Sequence, residues 1–299
     1  MEVKDNNPAW LDESHPNYLR WKLARELSIE RGKFVRAIIN QQLQTKNLAI
    51  FDLGSGEGGT SKVFSQDNFV VSLDLSLIRL NRQKELVISS ESSSEKSSTN
   101  TKNRFLSSFE MTEPNLVNAS ALQIPFANSS FDVIIIQDVI EHVNGSNSFL
   151  IEIKRVLKPN GMIYLSTPNK YSLFNFISDP HFGLPFVSIL KRESIKKYFL
   201  KYFRKGDYNR KDIAQLFSLD EMLNLFQNDF EFKLYTKFSV QELFNGNKGI
   251  VWSAFHLNLI SFCKFLKLDM LIKKIANDKK GIINRYFTPT FYIILKRLT

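Results

Sequence analysis

Phe51-Asp52-Leu53-Gly54-Ser55-Gly56-Glu57-Gly58-Gly59 joins the apolar run Leu48-Ala49-Ile50 to a helix-forming stretch at 60–66. An apolar run that ends in clustered glycines and then turns helical reads as strand, tight loop, helix. Without side chains on the loop, a ligand can reach its backbone amides at the start of the helix. Gly54, Gly56 and Gly59 also satisfy the G-x-G-x-x-G spacing of a dinucleotide site, and Asp74 follows about twenty residues on, where a ribose-binding acid belongs in either reading. Asp52 bears on the choice. A carboxylate two residues before the first glycine repels a pyrophosphate but suits a ligand that carries an ammonium and a sulfonium.

The rhythm set by that unit repeats outward. Residues 69–73 read as a second strand ending at Asp74, and Ser76 is placed to cap a helix through Arg79, Arg82 and Leu86. Residues 89–103 are Ser, Thr, Asn, Lys and Glu without an apolar period, the composition of a mobile surface insertion. Strands follow at 115–118, 131–136 and 162–166, with a helix at 149–157 and a turn at 158–161. Strands alternating with helices over about 120 residues mark a parallel, doubly wound α/β sheet. Upstream, apolar residues between 17 and 43 recur at three- and four-residue intervals and predict one or two amphipathic helices. After Pro168 the pattern becomes aromatic, basic and helical, with strands at 230–235 and 290–295. The expected organisation is one domain over 1–299: helices in 1–45, a Rossmann-like core at 46–170 interrupted by 89–103, helical cap segments at 171–228 and 238–286, and closing strands at 229–237 and 288–297. No fixed-period repeat is visible.

Composition narrows the partners. With one cysteine, Cys263, the chain forms no internal disulfide and no thiolate metal clip, and the donor set suggests no metal centre. The start, Met1-Glu2-Val3-Lys4-Asp5, lacks an apolar region after its charges, so the expected location is the cytoplasm. The Asn-x-Ser/Thr matches at Asn118, Asn128 and Asn144 then carry no glycosylation meaning. The uncharged stretch 249–263 is shorter than the roughly 18 apolar residues of a spanning helix. Forty Lys and Arg against 30 Asp and Glu give a net charge of +10. That excess admits anionic partners, and it also fits a composition biased toward Lys, Asn, Ile and Phe.

Further boxes follow in order: Ala121-Leu122-Gln123-Ile124-Pro125-Phe126, Ser130-Phe131-Asp132-Val133-Ile134, Glu141-His142-Val143, Arg155-Val156-Leu157-Lys158-Pro159-Asn160-Gly161 and Thr167-Pro168-Asn169. With the glycine turn and Asp74 they resemble the class I S-adenosylmethionine-dependent methyltransferases, of the type that acts on quinones and lipids, from about residue 18 to 169 with a closing strand near Tyr292. The resemblance implies a seven-stranded, mostly parallel sheet with an antiparallel last strand. It implies S-adenosylmethionine as cofactor and S-adenosylhomocysteine as product. It implies that Asp52, Gly54, Ser55 and Gly56 hold the methionine part, Asp74 and Leu75 the ribose side, and Ser120 and Ala121 the adenine. The family often has an acid where Ser120 stands, and a serine accepts a hydrogen bond from the adenine amino group more weakly. Gln137, at the end of the fourth strand, is expected to face the cofactor.

The acceptor side is less determined. Glu141-His142 suits proton transfer or a structural role, because methyl transfer from a sulfonium needs alignment and no obligatory base. Asp179-Pro180-His181-Phe182-Gly183-Leu184-Pro185 reads either as a substrate loop placing His181 over the acceptor or as a rigid connection. His142 and His181 are therefore the candidate catalytic residues. Lysines and arginines at 191–211 interleave with Ile195, Phe199, Tyr202 and Phe203, which fits a solvated helix packed on the core or peripheral contact with a membrane. No RNA-binding module accompanies them, so a nucleic-acid partner is not expected. Trp252, Phe255, Leu257, Leu259, Ile260, Phe262, Phe265 and Leu266 predict a buried cap helix or, alternatively, the lining of a pocket for an apolar acceptor. The expected reaction moves a methyl to a small-molecule or lipid-like acceptor, with oxygen the favoured atom. Two other classes stay open: a non-catalytic binding module on the same fold, and an NAD-dependent oxidoreductase.

Overall fold

The computed structural model describes residues 9–94, 113–208, 210, 213–250 and 254–298. Its centre is a seven-stranded sheet of β1 (Ala49–Leu53), β2 (Phe69–Asp74), β3 (Asn115–Asn118), β4 (Phe131–Gln137), β5 (Leu157–Pro168), β6 (Phe230–Leu234) and β7 (Thr290–Arg297), in the order β3-β2-β1-β4-β5-β7-β6. The pairs from β3 through β5 are parallel, and β7 runs antiparallel to both β5 and β6. This is the expected doubly wound sheet with its antiparallel last strand. In β5 the residues 158–161, read as a turn, form a bulge: Phe131 pairs with Leu157 but Val133 with Met162.

The period of two along each strand divides the core into two layers. Phe51, Ile134, Ile136, Ile163 and Ile293 point to one face. There they meet α5 (Ser146–Val156) and α9 (Leu219–Phe226). Ile50, Val133, Ile135, Tyr164 and Ile294 point to the other, under α2 (Ser28–Ile39) and α3 (Gly59–Ser65). Both faces being covered explains why β1 and β4 are mostly apolar, whereas β6 at the edge alternates buried and exposed residues. α1 (Tyr18–Glu26) precedes α2. Gly59 lets α2 lie against α3, since a Cβ there would stand 2.3 Å from the Ser28 carbonyl carbon.

α4 (Leu77–Ser94) follows β2 and carries residues 89–94 of the expected insertion, while 95–103 fall outside the described residues. Beyond β5 come α6 (Leu173–Ile177), α7 (Arg192–Ser194), a π-helical run Ile195–Leu200 and α8 (Lys201–Phe203). Ile195 and Leu200 of this basic stretch pack with Phe182, Val187 and Ile213, while Tyr198, Tyr202 and Phe203 face outward. α9 starts with a capping box in which Ser218 and Glu221 satisfy each other's amides. Between β6 and β7 lie α10 (Thr236–Phe244), α11 (Ala254–Phe265) and α12 (Leu268–Ile275). Here one expectation is corrected. The apolar stretch read as a buried cap helix exposes Leu257, Phe262, Phe265 and Leu266. The sheet face on that side is already filled by α2, α3 and α10, so α11 has no core left to enter. Trp252 lies outside the described residues, and no helix among those described is long and apolar enough to cross a membrane.

Candidate active site at the carboxyl edge of the sheet

Strand order reverses between β1 and β4, and open α/β sheets bind ligands at the carboxyl ends of strands flanking such a switch. The turn after β1 occupies this place. Gly54 and Gly56 adopt φ of 75° and 54°, the left-handed region that favours glycine. The amides of Gly54 and Ser55 donate to the Leu73 carbonyl at 2.7 and 3.0 Å, and the Gly56 amide donates to Asp74 Oδ2 at 2.9 Å. The other oxygen of Asp74 accepts from the Ser76 amide at 2.8 Å. From α4, the buried Gln83 donates to Ser55 Oγ and to the Gly56 carbonyl, both at 2.8 Å. The turn is thus fixed from beneath and behind. Its outer side is open, because a Cβ on Gly56 would meet nothing nearer than Arg79 at 3.8 Å.

Asp52 is 2% exposed and takes the Ser61 hydroxyl at 2.5 Å, with Ser72 donating to Ser61 behind it. Burial, with the neighbouring Asp74 adding to it, pushes the Asp52 carboxyl up to about 7 against the pull of the Ser61 hydrogen bonds. Its side chain therefore binds the first turn of α3 from inside the protein. Leu75, at the end of β2, is 69% exposed, and Asn118 Nδ2 fastens that corner by donating to the carbonyls of Asp74 and Leu75, each at 3.0 Å. Ser120 is exposed, accepting from the Leu122 amide at 3.2 Å, and Ala121 beside it is half-buried. Gln137 accepts from Thr60 Oγ1 at 2.6 Å, linking β4 to α3. These residues, with Gly54, Gly56, Asp74 and Leu75, gather along the edge formed by β3, β2, β1 and β4.

The two histidines come together on the other side of β4. His142 ends a short 3-10 turn at Ile140–His142, and His181 belongs to the loop after α6. Their ring centroids are 5.0 Å apart, edge to face. The loop is rigid: Asp179 Oδ1 accepts from the amides of His181 and Phe182 at 2.8 and 2.9 Å, Asn17 donates to the His181 carbonyl at 2.6 Å, and Arg20 donates to that of Pro180 at 2.7 Å. Glu141 is fully buried, accepts from Thr167 Oγ1 at 3.0 Å, and places its other oxygen 3.7 Å from His181 Nε2. Burial and then Asp138 raise its carboxyl well above the usual range. Asp138 is itself raised to about 6 by burial against the pull of Arg31. Glu141, His142 and His181 bring donor atoms within 4.8 Å of one another, an arrangement that serves a proton or a cation equally.

Sequence reading missed Gln83, Asp138 and Arg31. Gln83 and Arg31 sit in helices, at distances from the glycine turn and β4 that no motif spacing encodes. Asp138 was legible only as the residue after a buried strand, and its φ of 52° marks the strained corner there.

This fold defines a doubly wound α/β protein whose strand-order switch carries the glycine turn and Asp74. Residues 51–165 match the family described as "Methyltransferase domain". An uncharacterised protein of Methanocaldococcus jannaschii is 28% identical over 58% of this chain and 63% of its own length. The ubiquinone biosynthesis O-methyltransferase of Dictyostelium discoideum is 30% identical over 46% of this chain and 40% of its own. The chain thus spans less than two thirds of either relative. An S-adenosylmethionine-dependent methyltransferase structure from Mesorhizobium loti superposes with a TM-score of 0.51 at 14% identity, covering 87% of this chain and 96% of that one, a likeness of fold. Residues 51–165 are thus similar to the methyltransferase domain family, a match that covers less than half of the chain.

Proposed function

We propose that this chain, as a single domain, transfers the methyl of S-adenosylmethionine to a small-molecule or lipid-like acceptor, with oxygen the favoured atom. The observation that carries the reading is the glycine turn held to Asp74 and Gln83 from within while its outer side stays open. Gly54, Ser55 and Gly56 would hold the methionine part with Asp52 behind them fixing α3, Asp74 and Leu75 the ribose side, Ser120 and Ala121 the adenine, and Gln137 the sulfur end. When bound, the cofactor supplies a methyl already activated on a sulfonium. What remains for the chain is to align the acceptor and receive its proton. His181 or His142 would take that proton, with Glu141 Oε1 3.7 Å from His181 Nε2 orienting the His181 ring. The Dictyostelium relative, named a ubiquinone biosynthesis O-methyltransferase, supports an aromatic hydroxyl as the substrate class.

The first test is calorimetric titration of the purified chain with S-adenosylmethionine, S-adenosylhomocysteine and NAD in parallel, followed by labelled-methyl transfer to a panel of phenols and hydroquinones. Binding of the two sulfur ligands alone, with label incorporated into a phenol, is the expected result. Tight binding of NAD alone would replace the reading by an oxidoreductase, and binding of none by a non-catalytic module. His181→Ala is expected to lower kcat by about 10²–10⁴-fold at neutral pH with cofactor affinity intact. An unchanged rate removes His181 from the reaction.

A further inference from the structure

The excursion between β6 and β7 ends in a helical hairpin whose apolar side nothing in the described chain covers. α11 and α12 meet at a tight turn in which Lys267 takes a φ of 55°. On α12 the residues Leu268, Leu271, Ile272 and Ile275 recur at the spacing of one helical stripe, yet none of the eight residues is buried. Phe262 and Phe265 of α11 are 57% and 83% exposed, the latter at the turn itself. Isolated surface apolar residues need no explanation, but a contiguous stripe across two packed helices does.

Charge indicates what covers it. Between 254 and 280 the chain has six lysines, Lys264, Lys267, Lys273, Lys274, Lys279 and Lys280, against Asp269 and Asp278. Of these, Lys273 approaches Asp269 at 3.9 Å and Lys280 lies over the Phe232 ring. Phe and Leu on one side with lysines around them is the composition of a helix lying in the interface of an anionic bilayer. A second copy of the chain would bring the same positive charge against itself, which disfavours self-association through this patch. We infer that the α11–α12 hairpin docks the protein on an anionic lipid surface, with Phe262, Phe265 and Leu271 entering the headgroup region and Lys267 and Lys274 facing the phosphates.

The attachment of the hairpin gives docking a consequence. Its exit is fixed where the Lys237 amide donates to Asp278 at 2.9 Å and Asn284 Nδ2 donates to the carbonyls of Asn277 and Lys279 at 2.8 and 2.7 Å. Asn169, just beyond β5, donates in turn to the carbonyls of Asn284, Arg285 and Thr288. The docked hairpin therefore connects directly to the sheet edge that carries the candidate site, and exposed Ile282, Tyr286 and Phe287 lie along the connection. Docking stands independently of the methyl-transfer reading and differs from contact through 191–211, where Ile195 and Leu200 are already buried.

The test is flotation of the purified full chain with vesicles of phosphatidylcholine alone and of phosphatidylcholine with phosphatidylglycerol. Flotation with the anionic vesicles is expected, weakening as salt is raised. Phe265→Glu with Leu271→Glu, and separately Lys267→Glu with Lys274→Glu, should each lower partitioning by about tenfold or more. Lys196→Glu with Lys197→Glu should leave it unchanged. Thermal midpoints and S-adenosylmethionine titration of the same variants should match the parent, separating loss of docking from loss of fold or cofactor site. Absence of binding to anionic vesicles overturns the inference, as does loss confined to the 196/197 variant. Light scattering that reports a dimer dissociated by the 265/271 variant would assign the patch to a second copy instead.

Discussion

The two flanks of β4 hold their functional residues in different ways. On the β1–β2 side, the glycine turn, Asp74 and Gln83 form a compact set of hydrogen bonds among segments within about thirty residues of one another. On the β5–β7 side, Asn169 reaches Thr288, 119 residues away, Thr236 and Thr288 both meet Asn284, and the His181 loop is held from Asn17 and Arg20. A nucleotide-shaped ligand is shared across a family, so a local, contiguous frame suffices for it. On the reading proposed above, the acceptor side would be shaped by these long-range polar ties between inserted segments.

The largest effect should come from the long-range flank. Asn169→Ala leaves two buried carbonyls and a half-buried one without their donor and is expected to cost about 4 kcal/mol of stability, read as a lowered thermal midpoint. An unchanged midpoint would mean that the segment before β7 is not moored there. On the local flank, Asp74→Ala should weaken S-adenosylmethionine binding by about 1.5–3 kcal/mol, the scale of charged hydrogen bonds. Titration would show the ribose side misassigned if affinity held. Asp179 sharpens the contrast through pH. Burial raises its carboxyl from the ordinary 3.8 to about 6, so the folded state holds a proton that the unfolded state has released between those values. Stability contributed by this group is complete below about 4 and is lost as pH rises toward 6. Asp179→Asn should remove that fall, gaining roughly 2 kcal/mol relative to the parent between pH 4 and 7 in denaturant melts. Equal slopes in the two proteins would break the assignment. Gln83→Leu is expected to have the smallest effect, about 1 kcal/mol in cofactor affinity, by releasing the turn from α4 while keeping side-chain volume. A change in melting without a change in affinity would make Gln83 a residue of the fold alone.

The legible and illegible parts divide along the same flanks. The run from β1 to β5 could be followed residue by residue because each strand, turn and helix is contiguous, and the period of its apolar residues is a local property. The glycine turn and Asp74 belonged to that run. The pairing of Asn118 with the Asp74 and Leu75 carbonyls, the bracing by Gln83 and the meeting of His142 with His181 did not, since each joins residues whose separation follows no period. The apolar density of 252–266 was read as burial because hydropathy reports what a segment can bury, not whether a face remains for it to bury against.

Sequence alone therefore determined the strand and helix rhythm, the switch-point turn and the chemistry available there, because backbone propensity, glycine freedom and apolar alternation act over a few residues. Tertiary structure decided where β7 inserts between β5 and β6, which histidines share a site, and that α11 and α12 face outward. Those outcomes depend on competition between distant segments for two sheet faces of finite area, and only the folded chain resolves it.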